Sequence, residues 1–384
     1  MTKKPKLLFY VQHLLGIGHL KRATTLARSM NSVGFDITLV SGGKFVPVID
    51  KGGMKFIQLP EVRAADRKFS GLVEEDGSPL SNQTKQIRIE TLVTAFERIK
   101  PDMLLVEMFP FGRRMLEFEI IPLLERATSS NPRPLIVSSV RDILVEKAET
   151  KRTNHMVKMS KKYFDKILVH GDPQFISFDK TFPKAFQISD LLSYTGYVVE
   201  LDKINIESGG VGKGEVIVSS GSGAVGELIL ETAVRVRPHT YLSNSTWRLL
   251  AGHYMDTKKF KEIKDLAPDG IIVERARPDF IQLLKNCSLS ISQGGYNTVM
   301  EVLACGANGI AIPYGGGKET EQTLRAKLLE DRGLIRQISE EKLSDKWLVE
   351  AINQNKNWQN NKQNNLNING AKNTANLLAS LVFK

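Results

Sequence analysis

Short runs of valine, isoleucine and leucine alternate along this chain with segments of helical length, and no other feature constrains the fold as strongly. Uninterrupted apolar runs of strand length are typical of parallel strands that are buried on both faces, with crossover helices between them. Such runs lie at 6–11, 36–40, 54–59, 103–106, 135–140 and 166–170, and then at 215–219, 270–273, 289–292 and 309–313. The sequence therefore predicts an α/β fold with two doubly wound parallel sheets.

This repetition also predicts the domain organisation. We expect one Rossmann-like domain at 1–195, a second at 196–370, and a closing helix at 371–384 that packs back on the first domain. A length of 384 residues with 41% hydrophobic composition is enough to bury two cores. Open parallel sheets bind ligands beyond the carboxyl ends of their strands, so two such domains predict a binding cleft between them.

Cysteine usage and hydropathy narrow the function classes. Cys287 and Cys305 form no Cys-x-x-Cys pair and have no clustered histidine beside them, so we expect two reduced packing residues and no metal site. No stretch approaches the roughly 20 apolar residues that span a bilayer, and no cleavable signal is visible. These features favour a cytoplasmic location.

Positive charge is concentrated in the N-terminal half. Residues 1–195 carry 30 Lys+Arg against 21 Asp+Glu, a net charge of +9 out of +11 for the whole chain. Such an excess favours a phosphorylated acceptor, an acidic membrane surface or nucleic acid. The basic run 147–166 predicts either a helix that presses on an anionic membrane while its apolar face packs inward or inserts, or a helix with a solvated charged face. Nucleic acid is the least favoured partner, because no aromatic or arginine stripe accompanies the charge.

The first glycine turn follows the first predicted strand. Gly16 and Gly18 permit a tight backbone turn, and a helix is predicted to begin near His19. A helix N-terminus favours an anion, and a histidine there can act as a base. A plain glycine turn with a capping histidine is the alternative. We take His19 as a candidate catalytic base and the turn with Gly16 and Gly18 as a candidate anion site.

A second glycine-rich turn, at 221–226, matches the Gly-x-Gly-x-x-Gly fingerprint directly after a strand and at a helix start. This context predicts diphosphate binding by the turn 221–226, and a flexible turn without a ligand is the alternative. A dehydrogenase would also carry an acidic residue about 20 positions further on, at the end of the next strand. The segment 239–244 has none, so we expect no NAD.

The richest region runs from 292 to 322 and reads as strand, glycine turn, helix, strand, glycine turn, helix. Glu301 is expected on the first of these helices, where a carboxylate can accept hydrogen bonds from two ribose hydroxyls. Glu321 and Gln322 begin the second helix and are predicted to contact sugar hydroxyls, although acidic residues are also common at helix starts. The remaining candidate donor-binding residues of this region are Gln293, Gly294, Gly295, Asn297, Thr298, Gly316 and Gly317.

Two further polar residues end predicted strands. Glu107, before Phe109-Pro110-Phe111-Gly112, is a second catalytic candidate, a wall of the acceptor site or a structural residue. His170, before Gly171-Asp172-Pro173, is a candidate acceptor-binding residue or part of a turn.

These residues resemble the MurG-like glycosyltransferases, family 28, most clearly at 270–333. The family pattern there is a Ser/Gly turn, a helix with a ribose-binding glutamate, a strand ending in proline and an aromatic residue, and a polar pair. This chain has Ser292 to Gly295, Glu301, Pro313-Tyr314 and Glu321-Gln322 at those places. The first loop departs from the family in having one glycine fewer before its histidine, and the 313–322 loop is one residue longer.

The resemblance implies a GT-B fold and an inverting, metal-independent transfer of a hexose-type sugar from a UDP-sugar, with no cofactor beyond that substrate. It implies that Ser222 and Gly223 face the donor diphosphate and that the backbone near Arg275 to Arg277 borders the nucleotide base. It also implies that Gly16, Gly18 and His19 line the acceptor side, with a lipid favoured as the acceptor. No Asp-x-Asp triplet occurs, as expected for such an enzyme. A UDP-sugar 2-epimerase of the same fold and a non-catalytic nucleotide-sugar-binding protein are the alternatives.

Overall fold

The computed structural model describes residues 4–46, 52–66, 69–144, 150–205, 210–221, 226–315, 320–357 and 365–383. The chain divides into unit 1, which comprises Met1–Val198 and Leu366–Lys384, and unit 2, which comprises Val199–Asn365. The observed crossing between them lies three residues beyond the predicted one, and the last helix lies in unit 1. Among the described residues, no helix is long and apolar enough to cross a membrane.

Unit 1 is built on a parallel sheet with strand order β3-β2-β1-β6-β7-β8-β9, counted over the described residues. Its strands are β1 Lys6–Val11, β2 Asp36–Ser41, β3 Lys55–Gln58, β6 Met103–Glu107, β7 Leu135–Arg141, β8 Lys166–His170 and β9 Leu192–Tyr194. A small antiparallel hairpin pairs β4 Arg63–Ala64 with β5 Leu72–Val73. The helices are α1 Gly18–Ser32, α2 Asn82–Ile99, α3 Glu117–Thr128, α4 Thr150–Tyr163 and the C-terminal α12 Gly370–Val382.

Unit 2 repeats this plan with strand order β12-β11-β10-β13-β14-β15 in the part of the chain that is described. Its strands are β10 Val216–Ser219, β11 Trp247–Ala251, β12 Ile271–Arg275, β13 Leu289–Gln293, β14 Gly309–Ile312 and β15 Arg336–Gln337. Its helices are α5 Leu201–Ile204, α6 Glu227–Val236, α7 Thr257–Leu266, α8 Phe280–Asn286, α9 Tyr296–Ala304, α10 Glu321–Glu330 and α11 Asp345–Gln354. Both sheets are doubly wound, as predicted from the buried apolar runs.

The strand order reverses once in each sheet. In unit 1 the reversal lies between β1 and β6, and in unit 2 it lies between β10 and β13. Helices leave the sheet on opposite faces at such a point, which opens a crevice at the carboxyl ends of the two strands. These two switch points are where a ligand is expected in each unit.

Helix α4 shows which face of the basic run 147–166 is buried. Its apolar side chains Met156, Val157, Met159 and Tyr163 are buried in the core of unit 1. The apolar face therefore packs inward and is not available for insertion into a bilayer. Residues 145–149 lie outside the described residues.

The C-terminal helix α12 is held to unit 1 by aromatic and polar contacts. The rings of Phe383 and Phe35, which follows α1, meet edge to face at a centroid distance of 5.2 Å. Asn373 donates to the carbonyl oxygen of Thr195 at 2.8 Å, and the amide of Gly370 donates to the carbonyl of Tyr197 at 2.9 Å. These contacts fix the helix beside the end of β9.

Candidate active site

His19 and Glu107 flank the switch point of unit 1. His19 is the second residue of α1, which follows β1, and Glu107 is the last residue of β6. Helix α1 begins at Gly18, as the glycine turn predicts, and Gly16 lies in the turn that precedes it. The structure thus brings together both candidate catalytic residues, although 88 positions separate them in sequence.

The carboxylate of Glu107 is fully buried and engaged on both oxygens. Its Oε1 lies 2.8 Å from Nδ1 of His19 and also accepts a hydrogen bond from Nη2 of Arg22. Its Oε2 accepts from the hydroxyl of Ser139 at 2.8 Å. The His19 side chain keeps 17% of its surface exposed whereas that of Glu107 keeps none, so the histidine is the member of the pair that solvent and ligands can reach.

The charges around this pair set its protonation state. Burial would raise the pKa of Glu107, but Arg22 and the hydrogen bonds from His19 and Ser139 hold it well below its usual range. Burial, followed by the charge of Arg113, holds the pKa of His19 well below its usual range against the opposing effect of Glu107. Glu107 is therefore an anion and His19 a neutral imidazole near pH 7. With Nδ1–H donated to Glu107, the free lone pair of His19 is on Nε2.

His170 extends this cluster inward rather than toward a ligand. It is fully buried, with Nε2 2.9 Å from Oγ of Ser139 and Nδ1 2.8 Å from Oγ1 of Thr195. Burial lowers the pKa of His170 to about 3. Both ring nitrogens are thus occupied by protein groups, so the predicted direct contact between His170 and an acceptor does not fit its placement.

In unit 2, two of the candidate donor loops meet at the switch point. Gly221 follows β10 with φ +74°, and a Cβ at this position would lie 3.0 Å from Oε1 of Gln293, the last residue of β13. Only glycine adopts this conformation at low cost and leaves room for the glutamine. Ser222 and Gly223 of the same turn, and Gly316 and Gly317 of the later one, lie outside the described residues.

The turn after β14 packs against the turn after β13. A Cβ on Gly294 would lie 3.0 Å from Cα of Pro313, and nothing lies within 4 Å of the equivalent position on Gly295. The side chain of Gln322 accepts a hydrogen bond from the amide of Tyr314 at 3.1 Å. Gln322 therefore fixes the turn after β14, whereas Gly295 leaves open space at the start of α9.

Helix α9 carries Asn297, Thr298 and Glu301. Asn297 and Thr298 in its first turn are half-buried, and Glu301 is 3% exposed. Arg277, which follows β12, donates two hydrogen bonds to Asp279, from Nε to Oδ1 at 2.8 Å and from Nη2 to Oδ2 at 2.6 Å. The guanidinium of Arg277 is thus committed to a neighbouring carboxylate within its own loop.

Glu321 differs most from its predicted role. It is 1% exposed, and its Oε1 accepts a hydrogen bond from Arg325, one helical turn further on, at 2.6 Å. A buried carboxylate paired with a buried guanidinium is a structural ion pair. This placement does not present the side chain of Glu321 to the hydroxyls of a sugar.

The sequence interpretation did not include Arg22, Ser139, Thr195 and Arg113. Arg22 lies three positions after His19 and therefore on the same face of α1, a spacing that could have revealed it. Ser139 is one of two adjacent serines in the buried strand β7, and polar residues at buried positions are also an informative signal. Arg113 donates its Nε–H to the carbonyl of Gln12 at 2.9 Å, and no sequence pattern pointed to it.

Segment 239–244 was predicted to follow a strand and to hold any ribose-binding acid, but no strand ends there. The next strand, β11, ends at Ala251 and is followed by Gly252 and His253. The prediction misplaced this strand, yet the corrected position also lacks an acidic residue.

Sequence comparisons match this chain to glycosyltransferases. Residues 250–380 match the family model "Glycosyltransferase family 28 C-terminal domain". The chain is 20% identical over 355 residues to the NDP-glycosyltransferase YjiC of Bacillus subtilis, covering 87% of this chain and 85% of that protein. It is 30% identical over 109 residues to the UDP-N-acetylglucosamine--N-acetylmuramyl-(pentapeptide) pyrophosphoryl-undecaprenol N-acetylglucosamine transferase of Borrelia turicatae, covering 28% and 30% of the two chains.

Solved structures share the fold of the whole chain. The glycotransferase of kitacinnamycin superposes with a TM-score of 0.63 at 14% identity, covering 99% of this chain and 100% of that one. MurG of Acinetobacter baumannii gives 0.60 at 13% identity, covering 98% and 100%. The UDP-GlcNAc 2-epimerase of Methanocaldococcus jannaschii, solved with UDP-GlcNAc and UDP, gives 0.59 at 11% identity, covering 99% and 100%.

The two Rossmann-like units and these matches define the chain as a glycosyltransferase with a GT-B fold. More particularly, residues 250–380 carry a family 28 C-terminal domain, which confirms the resemblance to the MurG-like enzymes.

Proposed function

We propose that this enzyme is an inverting, metal-independent transferase that moves a hexose-type sugar from a UDP-sugar to a hydroxyl acceptor, with no cofactor. Unit 1 binds the acceptor and unit 2 binds the donor. The observation that carries the proposal is the His19–Glu107 pair at the switch point of unit 1, where a partly exposed histidine is backed by a buried carboxylate.

His19 acts as the general base in this mechanism. Its Nε2 takes the proton of the acceptor hydroxyl, and the oxygen attacks the anomeric carbon while the bond from that carbon to the diphosphate breaks. The oxygen attacks on the face opposite the diphosphate, which leaves with the electron pair of the broken bond, so the configuration inverts. Glu107 fixes the tautomer of His19 and stabilises the imidazolium that forms, as the third member of a catalytic triad does. Its complete burial favours His19 over Glu107 as the base.

The donor part of the proposal rests on unit 2. Nucleoside diphosphates bind at glycine turns and helix N-termini, and Gly221 and Gly295 lie in turns after β10 and β13, with Gly295 directly before α9. Glu301 at 3% exposure is proposed to bind the ribose hydroxyls. The UDP bound to the Methanocaldococcus epimerase supports uracil as the base.

Thermal stabilisation by nucleotides tests the donor site first. The melting temperature of the full chain is measured with UDP, dTDP, a panel of UDP-sugars and NAD. We expect a rise with UDP and with one UDP-sugar, and none with NAD, because bound ligand stabilises the folded state. Glu301→Ala should abolish the rise while Glu350→Ala, an exposed glutamate of α11, should keep it. A rise with NAD alone would refute the donor assignment.

Turnover then tests the base. With the identified donor, UDP release in the presence of candidate acceptors should fall by about 10²–10⁴-fold in His19→Ala, with little change in UDP affinity. His155→Ala is the matched control, because His155 also pairs with a glutamate, Glu117, but lies at the surface of α4. Full activity in His19→Ala would refute its role as base. Unchanged turnover in EDTA is expected for a metal-independent enzyme.

A UDP-sugar 2-epimerase is the alternative that the structural match to such an enzyme favours. An epimerase converts its nucleotide sugar without an acceptor, whereas a transferase releases UDP and makes a new glycoside. Incubation with the donor alone, followed by chromatography of the nucleotide sugars, separates the two. A 2-epimer that accumulates without acceptor would overturn the transferase proposal.

A lipid is the acceptor class we propose to test first, since the net charge of +9 on residues 1–195 suits an anionic surface. Sedimentation with vesicles of phosphatidylcholine, with and without phosphatidylglycerol, should show binding only to the anionic vesicles and release by salt. Equal partition onto both vesicles, or none, would argue for a water-soluble acceptor.

A further inference from the structure

A continuous row of side-chain hydrogen bonds runs behind the proposed base. From the inside outward it joins Thr195, His170, Ser139, Glu107 and His19, with all four links between 2.8 and 2.9 Å. Thr195 follows β9, His170 and Glu107 end β8 and β6, Ser139 lies two residues before the end of β7, and His19 is the second residue of α1. The parallel register places Glu107 directly opposite Ser139, so the link between them crosses adjacent strands. We call this row the relay.

The number of protons on each group fixes the donor and the acceptor of every hydrogen bond in the relay. Glu107 is ionised and can only accept, so the single hydroxyl proton of Ser139 is donated to Oε2 of Glu107. Ser139 then accepts from His170, which places the proton of this neutral imidazole on Nε2. The Nδ1 of His170 is left as an acceptor for the hydroxyl of Thr195. Every donor in the row therefore points toward the carboxylate.

Burial makes this row rigid. Glu107, Ser139 and His170 are each 0% exposed, and Thr195 is 1% exposed. Water cannot replace a lost partner there, and hydrogen bonds in a low-dielectric interior are stronger than in solvent. Asn373 of the C-terminal helix holds the carbonyl of Thr195 at the inner end. The orientation of the carboxylate is thus determined from behind as well as by His19 and Arg22.

We propose that Ser139 and His170 are positioning residues, which hold Glu107 in the orientation that accepts Nδ1–H from His19 and so keep the Nε2 lone pair of His19 free. This inference rests on the proposed role of His19 as base. Neither residue touches substrate, and both act through Glu107. Without them the carboxylate could rotate, and the imidazole would revert toward the Nε2–H tautomer that free histidine prefers.

The charged groups that face His19 are Glu107, Arg113 and Arg141, together with Arg22, whose Nη2 lies 3.5 Å from Nδ1 of His19. Those that act on His170 are Arg22 and Glu107. None of these is changed in the variants below, so any effect on His19 arises from loss of the relay.

The tautomer of His19 is the readout that a merely structural role would not move. The full chain is labelled with ¹⁵N-histidine, and each of its six histidines is assigned by substitution. At pH 7.5, without substrate, the wild type should show His19 protonated on Nδ1. In Ser139→Ala the Nε2–H form should become populated. With substrates, the kcat of Ser139→Ala should fall about tenfold at unchanged donor KM.

Ser138→Ala is the matched control. Ser138 is equally buried in β7, but successive residues of a strand face opposite sides of the sheet, and its hydroxyl donates to the carbonyl of Phe109 at 2.7 Å. It should lose stability much as Ser139→Ala does while the tautomer of His19 stays unchanged. Identical tautomer populations and identical kcat values in the two variants would overturn the proposal.

His170 provides a second, independent pair of variants. His170→Gln keeps an N–H near the position of Nε2 and should retain the wild-type tautomer of His19 and most of kcat, whereas His170→Met removes the donor and should behave like Ser139→Ala. Equal behaviour of the two His170 variants would count against the relay. Because the tautomer is measured without substrate, failure to find turnover with any donor and acceptor would refute the proposed function and leave this test intact.

Discussion

Replacement of Glu107 by glutamine should separate the two tasks of this carboxylate. The amide keeps the shape of the side chain but removes its charge from a site that is 0% exposed. Arg22, itself 3% exposed, would then keep a buried positive charge without its carboxylate partner. Breaking a buried pair from one side costs about 3–5 kcal/mol, so we expect a free energy of unfolding lower by that amount.

Activity should fall for a different reason. The amide of Glu107→Gln can donate to Nδ1 of His19, which moves the imidazole proton to Nε2 and removes the base. We expect a fall in kcat of about 10²–10⁴-fold, the range that general acid–base catalysis contributes. His19→Ala should lose as much activity but little stability, roughly 1 kcal/mol, because it leaves Arg22 paired with Glu107.

The position of the tryptophans makes the stability measurement specific. The three tryptophans, Trp247, Trp347 and Trp358, all lie in unit 2. Unit 1 has none, so tryptophan fluorescence follows the unfolding of unit 2 while circular dichroism follows both units. In urea, Glu107→Gln should shift the transition seen by circular dichroism alone and leave the fluorescence midpoint where it is in the wild type.

A double-mutant cycle gives the result that would refute this reasoning. If Arg22 is destabilising only because its charge lacks a partner, Arg22→Met in the Glu107→Gln background should restore part of the lost stability. The coupling free energy should then reach about 0.5–3 kcal/mol. Strictly additive losses, or an unchanged urea midpoint in Glu107→Gln, would show that the buried pair does not exist as described.

Three further predictions concern other parts of the molecule. Gly221→Ala places a methyl group 3.0 Å from Oε1 of Gln293 at φ +74°, so the UDP-induced rise in melting temperature should shrink, with a loss of about 1–2 kcal/mol in unfolding experiments. Arg88→Met leaves the buried carboxylate of Glu119 unpaired, and the urea transition of unit 1 should lose about 3–5 kcal/mol. The pKa of His170 falls from 6.5 to about 3 on folding, so between these pH values the unfolded chain binds a proton that the folded chain does not. The free energy of unfolding should therefore fall as pH drops from about 6.5 toward 3, by up to about 1.4 kcal/mol per pH unit. Urea titrations at several pH values should give a shallower slope for His170→Gln.

Most of the strand ends could be predicted from sequence because both faces of each sheet are covered, which requires uninterrupted apolar runs. The strand β11 was missed because Arg248 interrupts it. In the structure this charge pairs with Glu215 and Glu274 at 2.7 and 2.9 Å, so a strand end tolerates it. The edge strand β9 is only three residues long, which is too short for its periodicity to be recognised.

Side-chain direction was harder to predict than position. Glu321 does begin α10, as expected, but a carboxylate there can face a ligand or fold back on its own helix. The arginine four positions further on, Arg325, is the sequence signal that favours the second outcome. For His170 no such signal exists, because the residues that occupy its nitrogens, Ser139 and Thr195, are 31 and 25 positions away.

The switch points connect what was predictable with what was not. The strand order that places β1 beside β6 follows from the doubly wound topology, and it alone brings the start of α1 next to the end of β6. The same order in unit 2 places Gly221 beside Gln293. A sequence shows that His19 and Glu107 each follow or end a strand, whereas only the order of the strands shows that they meet. Because the pair depends on β1 and β6 being neighbours, a catalytic role for His19 follows from topology and charge together, and neither feature would suffice without the other.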